Sequence, residues 1–161
     1  MPSTDDVPQV EILLRPHHAL DIVTKYGQGH RFQPAPSGNA ESKVAEQILN
    51  NLDIVVRWVI GADAICAPCA LLNADGLCTD GVPHTHPPMS KQDYNDALDR
   101  RLCTYLGITP GSVSTLRAFL EIANAHTPGI EQQWHQPKYD PQMRVNGWIR
   151  GFELLGIRPR S

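Results

Sequence analysis

The chain has 161 residues, 41% of them hydrophobic and 19% charged, with a formal net charge of −3. That is the size of one ordinary domain, able to bury a core without disulfides, and its scattered Lys and Arg exclude a nucleic acid or an anionic membrane as main partner. No apolar run approaches the ~20 residues of a membrane span and Met1–Pro8 is polar rather than a signal peptide, so the expectation is a soluble cytoplasmic protein with reduced thiols.

Residues 1–9 read as a flexible N-terminus. Val10–Arg15 (VEILLR) is a short β-branched run stopped by Pro16, which predicts a strand. Pro16 then opens a helix carrying His17, His18 and Asp21 and ending at Gly27 or Gly29. After a Pro- and Gly-bearing loop over 31–39, Ala40–Leu52 places Val44, Ala45, Ile48, Leu49 and Leu52 at helical spacing. Asp53–Ile60 (DIVVRWVI) is the strongest strand candidate, closed by Gly61.

Residues 62–89 hold three Cys, two His and four Pro without sustained periodicity, too long a stretch for an unorganised loop. Ser90–Leu106 predicts a helix capped by Ser90 with Asp93 three residues on, and stopped by Gly107. Residues 109–161 read as a C-terminal helical extension. Within it, Ser112–His126 is one helix, and Asp140 caps a last helix with Pro141 at its first position, running to Leu155 before Gly156. The expected fold is a single α+β domain, mostly α, with four to five helices around a sheet of about two strands.

Cys66-Ala67-Pro68-Cys69 is followed after eight residues by Cys78. A Cys-x-x-Cys turn offers two thiolates to one metal or one cluster face, and the turn at Gly76 can fold the third back over them. Three thiolates this close repel unless a cation holds them, so 62–89 reads as a metal-binding loop. Neighbouring Ala64, Ile65, Ala67, Ala70, Leu71 and Leu72 are expected to wrap the site in apolar surface. Residue types alone leave two occupants open. One is an iron–sulfur cluster. The other is structural zinc, with His84 or His86 as a fourth ligand in a binding or scaffold protein.

Cys103 is a candidate fourth cysteine ligand. Its helix puts Tyr94, Leu98, Leu102 and Tyr105 on one stripe and Cys103 off it, beside Asp96 and Asp99. His126 reads as a dipole partner at a helix end, and residues 134–139 as a lid or surface loop.

Arg15-Pro16-His17-His18 after a first strand, followed by Asp63-Ala64-Ile65-Cys66-Ala67-Pro68-Cys69 and a third Cys, resembles domain-of-unknown-function family 1284. These are small bacterial and archaeal proteins suspected of binding an iron–sulfur cluster. The likeness runs from about Ile12 to Leu106 and implies a cluster, of the [4Fe-4S] type, on Cys66, Cys69, Cys78 and a fourth group. Where that family carries a Cys in the His-His motif, this chain has Asp21. A carboxylate there, or Cys103 in its stead, leaves the fourth iron weakly held or open, a state suited to Lewis-acid or sulfur-transfer chemistry of a lyase or hydrolase type. His17 and His18 at the strand end are then acid–base or ligand candidates, with Asp21 orienting one of them. The implied partner is a small-molecule substrate, or a redox partner if the protein only carries electrons. Oligomeric state is left open.

Overall fold

The computed structural model describes residues 9–82, 89–135 and 139–157. In chain order these form β1 (Ile12–Leu14), α1 (Pro16–Gly27), α2 (Glu41–Leu49), β2 (Val55–Trp58), β3 (Gly81–Val82), β4 (Met89–Ser90), α3 (Lys91–Leu106), β5 (Val113–Thr115), α4 (Leu116–Ala125), a 3-10 turn (Ile130–Gln133) and α5 (Pro141–Leu155). The α+β, mostly α, expectation holds, but the main sheet has three strands rather than two, in the order β1-β2-β5.

The third strand came out of a segment that the helical pattern had claimed. Val113–Thr115 pairs antiparallel with β2, Val55 opposite Thr115 and Arg57 opposite Val113. Helix α4 starts only after it, with Thr115 as N-cap accepting from the Ala118 amide. Other ends follow their local signals. Ser90 Oγ accepts from the Asp93 amide at the start of α3, and Asp140 does the same for Gln142 at α5. Gly107 and Gly156 close those two helices at φ +71°.

Strands β1 and β2 run parallel, Ile12 opposite Val56 and Leu14 opposite Trp58. Parallel pairing brings the carboxyl ends of both strands to the same edge of the sheet. The segment after β1, Arg15–His18, therefore meets the segment after β2, which leads into Asp63 and Cys66. The Ala64 amide bonds the Leu13 carbonyl at 3.0 Å, tying the two together.

The core is one cluster under the sheet, with Leu14, Leu20, Ile48, Leu98, Phe119, Trp148 and Phe152 buried. Trp58 stacks on Phe119 at 3.9 Å between ring centres. The C-terminal region is no appendage. It supplies β5 to the sheet, and α5 packs directly on α1, where Trp148 Nε1 donates to the Leu20 carbonyl. Among the described residues no helix is long and apolar enough to cross a membrane.

Candidate metal centre

Pro16 lacks an N–H and Arg15 is no capping residue, so α1 begins without a side-chain cap of its own. Two buried carboxylates from elsewhere satisfy its opening turn. Asp63 accepts from the Arg15 amide at 2.8 Å, and Asp99 accepts from the His17 amide at 2.9 Å. The same carboxylates hold the two imidazoles. His18 Nδ1 lies 2.7 Å from Asp63 Oδ2, and His17 Nδ1 lies 2.9 Å from Asp99 Oδ1. Each histidine thus has its own aspartate, with the ring centres 4.4 Å apart.

Burial alone would raise the Asp63 carboxyl, yet His18 and the Arg15 and Cys66 amides outweigh it and hold the group at about 2. Asp99 is likewise lowered against its burial by His17 and Arg15. Burial opposes the charged form of His17 too, and Asp99 overcomes it, so that imidazole is raised.

A depressed carboxyl contributes stability that is present above its unfolded value, ~3.9, and lost as pH falls through the folded value. The metal-free protein is therefore expected to lose on the order of 2 kcal/mol between pH 4 and 2 from Asp63 alone. The raised His17 works the other way, contributing below ~6.5 and fading as pH rises. Urea unfolding at stepped pH measures the acid limb, which flattens in Asp63→Asn.

Asp99 sits with Asp96 and Cys103 on the side of α3 that the residue spacing assigned as polar, and Gln92 extends the same stripe. It is turned inward. Gln92, Asp99 and Cys103 are buried, and Tyr105, expected on the apolar stripe, is exposed. The reason is the cation beneath it. Arg15 is 2% exposed, and its Nη1 bonds Asp96 and Asp99 at 2.9 Å each. Further along the stripe, Gln92 Nε2 bonds Asp96 while its Oε1 accepts from the Cys78 amide at 2.8 Å. One hydrogen-bonded chain thus joins the third cysteine to the Arg15–His17 turn.

The cysteine loop is built from short-range turns. The Cys69 amide bonds the Cys66 carbonyl at 2.9 Å, closing the Cys-x-x-Cys turn. Asn73 Oδ1 accepts from the Asp75 and Leu77 amides, and Thr79 pairs back to Leu71, so the chain reverses at Gly76 and returns Cys78 beside Leu72. Cys66, Cys69 and Cys78 are all free and partly buried, and they line one cavity of about 100 Å³. Arg15, His18, Asn39, Ile65, Gln92 and Asn95 are among its other walls. Apolar wrapping is thinner than expected, for Ile65 is buried but Ala67 and Ala70 are exposed. Burial and the nearby Asp63 charge push the Cys66 thiol up to about 11, so a metal must displace its proton.

This cavity fits an anionic metal–thiolate centre. No carboxylate lines it among the described residues, and the buried Arg15 contributes a cation to its wall.

The remaining candidates lie apart from it. Cys103 is buried one turn past Asp99, outside the cavity lining, its thiol raised to about 11 by burial and by Asp99. Asp21 orients neither imidazole, because its carboxylate pairs with Arg144 at 2.9 Å. Arg144 itself lies over the Trp134 and Tyr139 rings. Asp21 and His17 instead line an adjoining open cleft of about 440 Å³, which shares His18, Asn39, Ile65, Lys91 and Asn95 with the cysteine cavity. His84 and His86 lie outside the described residues. What the sequence reading missed is Asp99, Asp63 as a histidine partner, and Arg15 as the buried cation. The Asp96–Asp99 spacing on one helix face was the available signal. No family model, no curated protein and no solved structure matches this chain, so its function is read from this site itself.

Proposed function

We propose that the protein is a cytoplasmic iron–sulfur protein. In this reading Cys66, Cys69 and Cys78 hold a [4Fe-4S] cluster whose weak fourth position faces a small-molecule pocket. The carrying observation is the shared cavity of the three free thiols, whose described lining includes the buried Arg15 cation and no carboxylate. Three thiolates leave one position of a cubane without cysteine, and such a position supplies Lewis-acid chemistry when the cluster is bound. Around it, His17 offers an imidazole polarised by Asp99 to take or give a proton in the adjoining cleft. The cations lining that cleft are paired, Lys25 with Glu41, Arg144 with Asp21 and Lys91 with Asp80, so the cleft offers a polar lining of both signs to a small molecule. Free thiols suit a reducing compartment.

Anaerobically purified protein is expected to be brown and to contain iron and acid-labile sulfide in near-equal amounts. Replacing Cys66, Cys69 or Cys78 singly by Ser is expected to abolish or strongly reduce both. Colourless protein with one zinc per chain, prepared without oxygen, rejects the cluster.

That outcome would favour a second reading, a structural zinc site. It has an observation of its own, since ligand atoms of His18, Asp63 and Cys66 all lie within 4.8 Å of one another, the span of a single ion. Zinc removal by a chelator then unfolds the loop, whereas a pure electron carrier shows a reversible redox couple and no ligand-induced spectral change.

A further inference from the structure

Resting on the reading of a metal centre at the three cysteines, we propose that Nε2 of His18 is its fourth ligand, with Asp63 as the positioning residue that keeps His18 in that role.

His18 lines the same cavity as Cys66, Cys69 and Cys78, and stands between it and the open cleft. Its Nδ1 is committed to Asp63 at 2.7 Å. An ionised carboxylate only accepts, so Nδ1 carries a proton, and in the neutral ring that a metal requires the lone pair is on Nε2. No described residue hydrogen-bonds that Nε2. A histidine whose second nitrogen donates to a buried carboxylate is the arrangement that metal-bound imidazoles adopt, because the carboxylate locks the tautomer and raises ligand basicity.

Asp63 falls within ligand range as well, but its lone pairs are spent. Oδ2 accepts from the Arg15 amide and His18 Nδ1, and Oδ1 accepts from the Ile65 and Cys66 amides at 3.0 and 3.2 Å. Four donors fill what a carboxylate can accept, and a metal bond would orphan at least one of them in a buried setting. Asp63 therefore works one shell out. Of the other fourth ligands weighed from sequence, Asp21 is bound to Arg144 outside this cavity and Cys103 does not line it, while His84 and His86 lie outside the described residues. An imidazole in place of a fourth thiolate gives a neutral, more readily exchanged ligand, placed where the cleft delivers its occupant.

The test is spectroscopic. Full-length protein labelled with 15N-imidazole histidine is purified without oxygen, reduced, and examined by pulsed electron paramagnetic resonance. The expected result is one strongly coupled nitrogen, lost in His18→Ala and in His18→Cys, the latter keeping the cluster. Asp63→Asn is expected to lower metal retention against a chelator by about 10–100-fold while keeping the coupling. Absence of nitrogen coupling in the reduced wild-type cluster overturns the proposal, as does its persistence in His18→Ala. If the protein carries zinc, the cluster reading fails but the ligand is still tested. X-ray absorption at the zinc edge must then show three sulfurs and one nitrogen, the nitrogen lost in His18→Cys. Protein that holds neither zinc nor iron after anaerobic reconstitution overturns both.

Discussion

Asp99→Ala is expected to destabilise the protein by ~3–5 kcal/mol, the range for removing one partner of a buried ion pair. Asp99 is 0% exposed and bonds Arg15 Nη1, the His17 amide and His17 Nδ1. Its loss leaves a buried guanidinium facing only the partly exposed Asp96, and it orphans the first amide of α1. For a domain of this size the melting temperature should fall on the order of 10 °C. Asp99→Asn keeps an acceptor for the His17 amide but not the charge, so its loss should be intermediate. Denaturant unfolding of the metal-free proteins measures both. A loss below ~1 kcal/mol for the alanine variant would mean that Arg15 is neutralised by something other than Asp99.

The second large effect concerns the contact between α1 and α5, and its sign runs against helix propensity. In an exposed helix, Gly→Ala stabilises by about 1 kcal/mol. At Gly151 an added Cβ would stand 2.6 Å from the Val23 carbonyl oxygen and 2.8 Å from Val23 Cγ1. That carbonyl belongs to the hydrogen-bonded backbone of α1 and cannot rotate away, so the helices must separate. Gly151→Ala is expected to cost ~1–3 kcal/mol or more, through strain and lost packing around Trp148 and Phe152. Gly147, where a Cβ would meet the Thr24 carbonyl at 2.9 Å, should behave in the same way. Separation of the helices also loosens the Asp21–Arg144 pair at 2.9 Å. Thermal melts of the two single variants, compared with Gly81→Ala, where an added Cβ meets nothing within 4 Å and φ is not positive, would falsify the close-contact account if all three shifts were alike.

Helix ends were legible because their signals are local. Ser90 and Asp140 cap, Pro141 starts, and Gly107 and Gly156 stop, each acting within a turn of its own position. Strand β5 was not legible. Three residues at 113–115 become a strand only because β2 offers an edge to pair with, while the apolar spacing of Leu116, Phe119, Leu120 and Ala123 extends the helical pattern back over them. The inward polar stripe of α3 was misread for a related reason. Asp96 and Asp99 read as solvated until a buried Arg15, 81 and 84 residues away in sequence, gives them a partner.

The sequence by itself determined that the three cysteines at 66, 69 and 78 share one loop, because a Cys-x-x-Cys turn and a Gly-centred reversal need only near neighbours. It also determined that His17 and His18 follow a strand end. Only the tertiary structure decided which histidine lines the thiol cavity, which aspartate steadies it, and that Asp21 and Cys103 lie apart from that cavity. Those choices rest on the parallel pairing of β1 with β2 and on the inward face of α3, and such long-range contacts leave no mark in the spacing of the residues they join.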